Sequence, residues 1–124
     1  MGTFVTHKRK LKIKKGSTFD DLVTWKVGAT AGTATAVDLR GCMARTQFRA
    51  SIDSPDVLLE LNTENGGMFL GGINGTVRWF ISATDTSAIS WDKAVYETEI
   101  TFADGITVHT KFAGTVTVYK EVIR

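Results

Sequence analysis

Cys42-Met43-Ala44-Arg45-Thr46-Gln47-Phe48-Arg49 alternates without a break. Successive side chains of an extended strand point to opposite faces, so Cys42, Ala44, Thr46 and Phe48 share one side and Met43, Arg45, Gln47 and Arg49 the other. Two arginines mark the second set as the wet one. The first set, Cys42 included, therefore turns toward a core. No window of a dozen residues anywhere in the chain carries the i, i+3, i+4, i+7 apolar stripe of a helix.

The same alternation recurs outward from this run. Leu11 and Ile13 alternate with Lys10, Lys12 and Lys14; Val77, Trp79 and Ile81 share one parity; so do Tyr96, Thr98, Ile100 and Phe102. Phe19, Val23 and Trp25 agree in parity, and Leu22 breaks it as at a bulge. Val57, Leu59 and Leu61 fall on one side, and Met68-Phe69-Leu70 makes a small strand. Between the runs stand turn signals: Ser54-Pro55-Asp56, Asp104-Gly105, and the pairs Asn65-Gly66 and Asn74-Gly75, which suit type I′ turns. Gly28 to Ala36 reads as a loop, Ser82 to Thr86 as a capped turn or one-turn helix. Asp104-Gly105 separates a strand over Ile106–Phe112 from the one before it, and Gly114 opens a last strand through Val116 and Val118. Eighteen threonines and twelve glycines beside a single proline fit this strand-rich reading. It predicts an all-β, antiparallel sandwich of seven to nine strands over residues 11–124, with a small closed barrel as second choice.

Residues 1–10 read as a basic arm, dispensable for folding. Lys8, Arg9, Lys10, Lys12, Lys14 and Lys15 hold six of the fifteen basic residues, and all thirteen acidic ones lie from Asp20 onward, leaving residues 16–124 with a net charge of −4. The alternation with Leu11 and Ile13 favours an edge strand whose lysines face water and discourage edge-to-edge aggregation. An acidic protein partner for this basic cluster, through patches such as those holding Asp20-Asp21 or Glu97 with Glu99, is the next reading, and nucleic acid the least favoured.

At 124 residues and 13.5 kDa the chain makes one domain. It has no run of 18 apolar residues, so no membrane span is expected, and no apolar leader, so synthesis in the cytoplasm is expected. Gly2 and Thr6 fit a myristoylation pattern short enough to arise by chance. A single cysteine and two separated histidines, His7 and His109, give no metal-ligand spacing, and both histidines read as surface residues. No nucleophile elbow, phosphate loop or zinc-protease motif occurs, so neither catalytic residue nor cofactor is assigned. Glu97 and Glu99 share a strand face and read as its wet side, paired with Lys111. Trp25 and Trp79 fall on core parity; Trp91 either caps an open end of the sandwich or anchors a partner. Arg45, Arg49 and Arg78 come nearest to a nucleic-acid surface, with no aromatic residue interleaved on the first strand.

Several stretches together resemble one family. These are Gly16-Ser17-Thr18-Phe19-Asp20 through Thr24-Trp25, Val37-Asp38-Leu39-Arg40-Gly41-Cys42-Met43-Ala44-Arg45, Leu59-Glu60-Leu61, Ile81 through Thr86, Tyr96-Glu97-Thr98-Glu99-Ile100 and Gly114-Thr115-Val116-Thr117-Val118. They look like the immunoglobulin-like N-terminal domain of baseplate upper proteins, and related small tail proteins, of tailed phages and prophages. Cys42 stands where that family commonly has an aromatic residue. The resemblance implies an immunoglobulin-like sandwich and a non-enzymatic virion building block, made in a bacterial cytoplasm and present in several symmetric copies. It docks on other virion proteins of the tail, neck, baseplate or fibre junction. The chain ends where longer relatives continue into fibre or receptor-binding segments, which favours a connector or decoration role. A carbohydrate or host-surface module using Trp91 and the loops over Asn65–Gly75, or a capsid decoration protein, is the alternative.

Overall fold

The computed structural model describes residues 6–28 and 34–122. In chain order the strands are β1 (His7–Lys8), β2 (Leu11–Lys14), β3 (Phe19–Thr24), β4 (Lys26–Val27), β5 (Thr35–Ala36), β6 (Met43–Arg49), β7 (Leu59–Asn62), β8 (Met68–Leu70), β9 (Thr76–Ile81), β10 (Lys93–Thr101) and β11 (Val108–Tyr119), with a 3-10 turn (Gly72–Asn74) and a short α-helix, α1 (Ala83–Ser87). One sheet runs β1-β11-β10-β6-β7, with β2 also on β11; a second runs β3-β9-β8; β4 and β5 form a small hairpin. The chain is all-β.

Apolar inward residues of both sheets form one core, including Ile13, Phe48, Val77, Trp79, Ile100 and Val116, each at most 1% exposed. Its centre is polar. The Trp79 indole N–H donates to Thr46 Oγ1 at 2.9 Å and lies 3.3 Å from Thr98 Oγ1. The two threonines face each other across β6 and β10, with hydroxyls 2.6 Å apart. Thr46 Oγ1 is also 3.2 Å from Met68 Sδ. All four residues are buried, and a buried hydroxyl or indole is tolerated only when paired. This knot joins the sheets through β9, β6, β10 and β8. At one corner the Ser82 side chain caps α1 by accepting the Asp85 N–H at 3.1 Å, as its sequence predicts.

Several expectations are corrected. The large sheet is mixed, because β1 and β2 run parallel to β11 in one unbroken register, His7 opposite Phe112 and Leu11 opposite Val116. Strands number eleven among the described residues, since three pieces are only two residues long. Ile106–Phe112 and the last strand are one strand, β11, which continues through Gly114. The glycine marks a close approach: a Cβ there would overlap the Arg9 carbonyl oxygen. Leu22 needs no bulge, since β3 pairs regularly with β9 and Leu22 is simply exposed. Val57 is exposed too, and Leu58 packs on the core instead. Neither Asn-Gly pair makes a type I′ turn, which needs positive φ at both residues. Only the glycines have it, Gly66 at +80° and Gly75 at +68°. Part of the loop expected over Gly28–Ala36, residues 29–33, lies outside the described residues, as does Gly2; its end is β5.

The arm is corrected most. His7 and Lys8 pair with β11, Thr6 Oγ1 donates to Thr110 O at 2.7 Å, and Arg9 N donates to Ala113 O at 2.9 Å. Residues 6–9 are tied to the sheet, His7 and Lys8 as a strand and Thr6 and Arg9 by hydrogen bonds to β11.

Candidate functional site

The basic residues are built into one sheet edge. Leu11 and Ile13 are 3% and 0% exposed, whereas Lys8, Lys10, Lys12 and Lys14 are exposed and Lys15 is half-buried. Arg9 N bonds Ala113 O and Lys15 N bonds Tyr119 O, both at 2.9 Å. Backbone groups of a strand alternate sides, so the odd-numbered residues turn theirs to β11 and Lys8, Lys10, Lys12 and Lys14 turn theirs away. Among the described residues no strand pairs on that side, nor on the far side of β3. The two open edges flank a groove of about 370 Å³, with Lys10, Lys12 and Lys14 on one wall and Phe19, Asp20 and Asp21 on the other.

Arg9 is the exception in this row. Its Nη1 lies 2.8 Å from Asp21 Oδ2, with the N–H aimed off the carboxylate, so charge rather than a directed hydrogen bond holds the pair. Its guanidinium carbon sits 5.4 Å from the Trp79 ring centre, and its carbonyl accepts the Tyr96 hydroxyl at 3.0 Å. Burial pushes the Tyr96 phenol up to about 12. Arg9 is a structural plug, and Lys14 also has an internal partner, donating to Lys120 O at 2.8 Å.

The other candidates disperse. Asp20 and Asp21 have partners within the chain, Arg78 and Arg9. Glu99 meets Arg45 at 2.7 Å, not Lys111, which sits at the β10–β11 register shift with its Nζ 4.9 Å from the Trp25 ring centre. Burial lowers the Lys111 pKa. His109 is half-buried with its ring 5.8 Å from Trp25, while exposed His7 stands edge-on to Phe112. Trp25 and Trp79 are core. Trp91 is half-buried with its ring 6.2 Å from that of Phe48, and it does not line the groove beside the basic edge. Burial also raises the Cys42 pKa. Among the described residues no cluster of His, Cys, Asp and Glu could hold a metal, and no helix is long and apolar enough to cross a membrane.

Compared with protein-family models and with curated proteins, the chain matches none.

One surface escaped the sequence reading, the outer face of the three-stranded sheet. Leu22, Arg78 and Phe69 stand in one rung across β3, β9 and β8, with Asp20 and Phe80 in the next. Arg78 makes a two-pronged bond to Asp20, at 2.8 and 2.7 Å, and its guanidinium lies 5.1 and 5.4 Å from the ring centres of Phe69 and Phe80. That bond holds the Asp20 carboxyl below its usual range. Phe80 has the parity of Arg78, a signal hidden because the reading followed Val77, Trp79 and Ile81.

Proposed function

We propose that this protein is a non-enzymatic structural component of a tailed-phage particle, built on an immunoglobulin-like sandwich and joined to its neighbours through the open β2 and β3 edges. The sheet orders support the fold: β3-β9-β8 corresponds to strands B, E and D, and β11-β10-β6-β7 to G, F, C and C′. The single observation that carries the function is the edge itself. Lys8, Lys10 and Lys12 are exposed, and their backbone donors and acceptors face outward with no strand on them among the described residues. An unpaired edge recruits a strand by main-chain hydrogen bonds, and cations along it select an acidic partner over a second basic edge.

The test is a charge change that leaves the plug intact. The triple variant Lys8→Ser, Lys10→Ser, Lys12→Ser retains Arg9 and Lys14, so its stability stays within about 0.5 kcal/mol of wild type. Supplied in place of wild type during phage growth, it enters particles at least tenfold less. Wild-type incorporation of this folded variant contradicts edge docking, and absence of the wild-type chain from purified particles contradicts the virion role.

A further inference from the structure

We infer that the outer face of the three-stranded sheet is the contact surface for a second copy of this chain, in a two-fold symmetric dimer. The inference needs neither the edge nor the particle.

Its starting point is composition. Leu22 is 58% exposed and Phe69 46%, beside Arg78 and the half-buried Phe80. Arginine and aromatic side chains are enriched at interface centres, and exposed apolar groups gathered on one face mark contact surfaces. A lone buried arginine would forbid such a contact, since an unpaired charge out of water costs several kcal/mol. Arg78 is already neutralised by Asp20 and held between two rings. The face can therefore be covered without stranding a charge, and its fixed guanidinium loses little freedom on contact.

Charge arrangement chooses the occupant. Within two rungs the face carries one cation and one anion, so it is neutral and complementary to itself. A two-fold axis lying in the interface, across the strands and between the two rungs, sets Arg78 of each copy over Phe80 of the other. Asp20 of the other copy is then diagonal to it. Such an isologous contact closes on itself and pairs every charge twice. A strongly acidic or basic partner leaves one of the two charges facing its like.

Sedimentation velocity from about 1 µM to 1 mM tests this, a range suited to an interface of modest area. The wild-type mass rises from one chain toward two. Phe69→Lys and Leu22→Lys remain single chains throughout, with unchanged circular dichroism and thermal midpoint. Val95→Lys, on the outer face of the other sheet, dimerises as wild type does. Arg78→Asp, which sets a carboxylate beside Asp20 and against Phe80 of the other copy, abolishes the dimer. A wild-type chain that stays single over the whole range overturns the inference and leaves the face to a different protein. So does a dimer that persists unchanged in the folded Phe69→Lys variant.

Discussion

Removal of residues 1–10 lowers the stability of the domain by about 3–5 kcal/mol, far more than loss of an exposed basic tail should. The deletion takes away the β1 pairing and three hydrogen bonds: Thr6 to Thr110, Arg9 N to Ala113 O and Tyr96 to Arg9 O. It leaves the Tyr96 hydroxyl, whose phenol burial already perturbs, without its acceptor, and an orphaned buried hydroxyl alone costs about 1–3 kcal/mol. It also uncovers the Trp79 face and strips Asp21 of Arg9. For a domain of this length the thermal midpoint falls on the order of 10–20 °C. Thermal or urea unfolding of the deletion beside the Lys8, Lys10, Lys12 triple serine variant makes the comparison. Equal stability of the two means that residues 6–9 do not hold the sheet.

The second large effect lies at the core knot. Trp79→Ala costs about 3–5 kcal/mol, from lost burial and the cavity left behind. Trp79→Phe separates packing from hydrogen bonding. It retains most of the ring contact, including the edge-on packing with Phe112 at 5.1 Å, but offers no N–H to Thr46 and Thr98. We expect it to cost about 1–2 kcal/mol. In a background of Thr46→Val and Thr98→Val the same Trp79→Phe change costs little, because no acceptor is stranded; this coupling is read from a double-mutant cycle. Equal cost in both backgrounds shows that the indole N–H contributes nothing.

Alternation carried much of this fold. It places Ala44, Thr46 and Phe48 inward on one strand and Tyr96, Thr98 and Ile100 inward on another, and it assigns Trp79 to the core, all as found. Strand alternation is local, and so it fails wherever a residue is governed by a distant one. Gly114 reads as a strand break because glycine weakens strands; its actual cause is the Arg9 carbonyl, brought alongside by pairing of the two ends of the chain. Arg9 reads as one more cation in a run and yet covers Trp79, because no sequence pattern reveals which aromatic ring lies under a guanidinium. The lysine face of β2 was legible. The Phe69–Arg78–Phe80 cluster was not, since Phe69 lies in a strand of three residues, too short for a parity to show. Glu99 was given the wrong partner because strand order, which sets Arg45 beside it, does not follow from hairpin proximity.

The basic segment is a clamped strand with one free edge, and residue-resolved amide hydrogen exchange on the isolated wild-type chain reads both properties at once. Slow exchange is expected at Arg9, Leu11 and Ile13, whose N–H groups face β11, and fast exchange at Lys10, Lys12 and Lys14, whose N–H groups face outward. Uniformly fast exchange from residue 7 to residue 14 contradicts the clamp, and uniformly slow exchange contradicts the free edge.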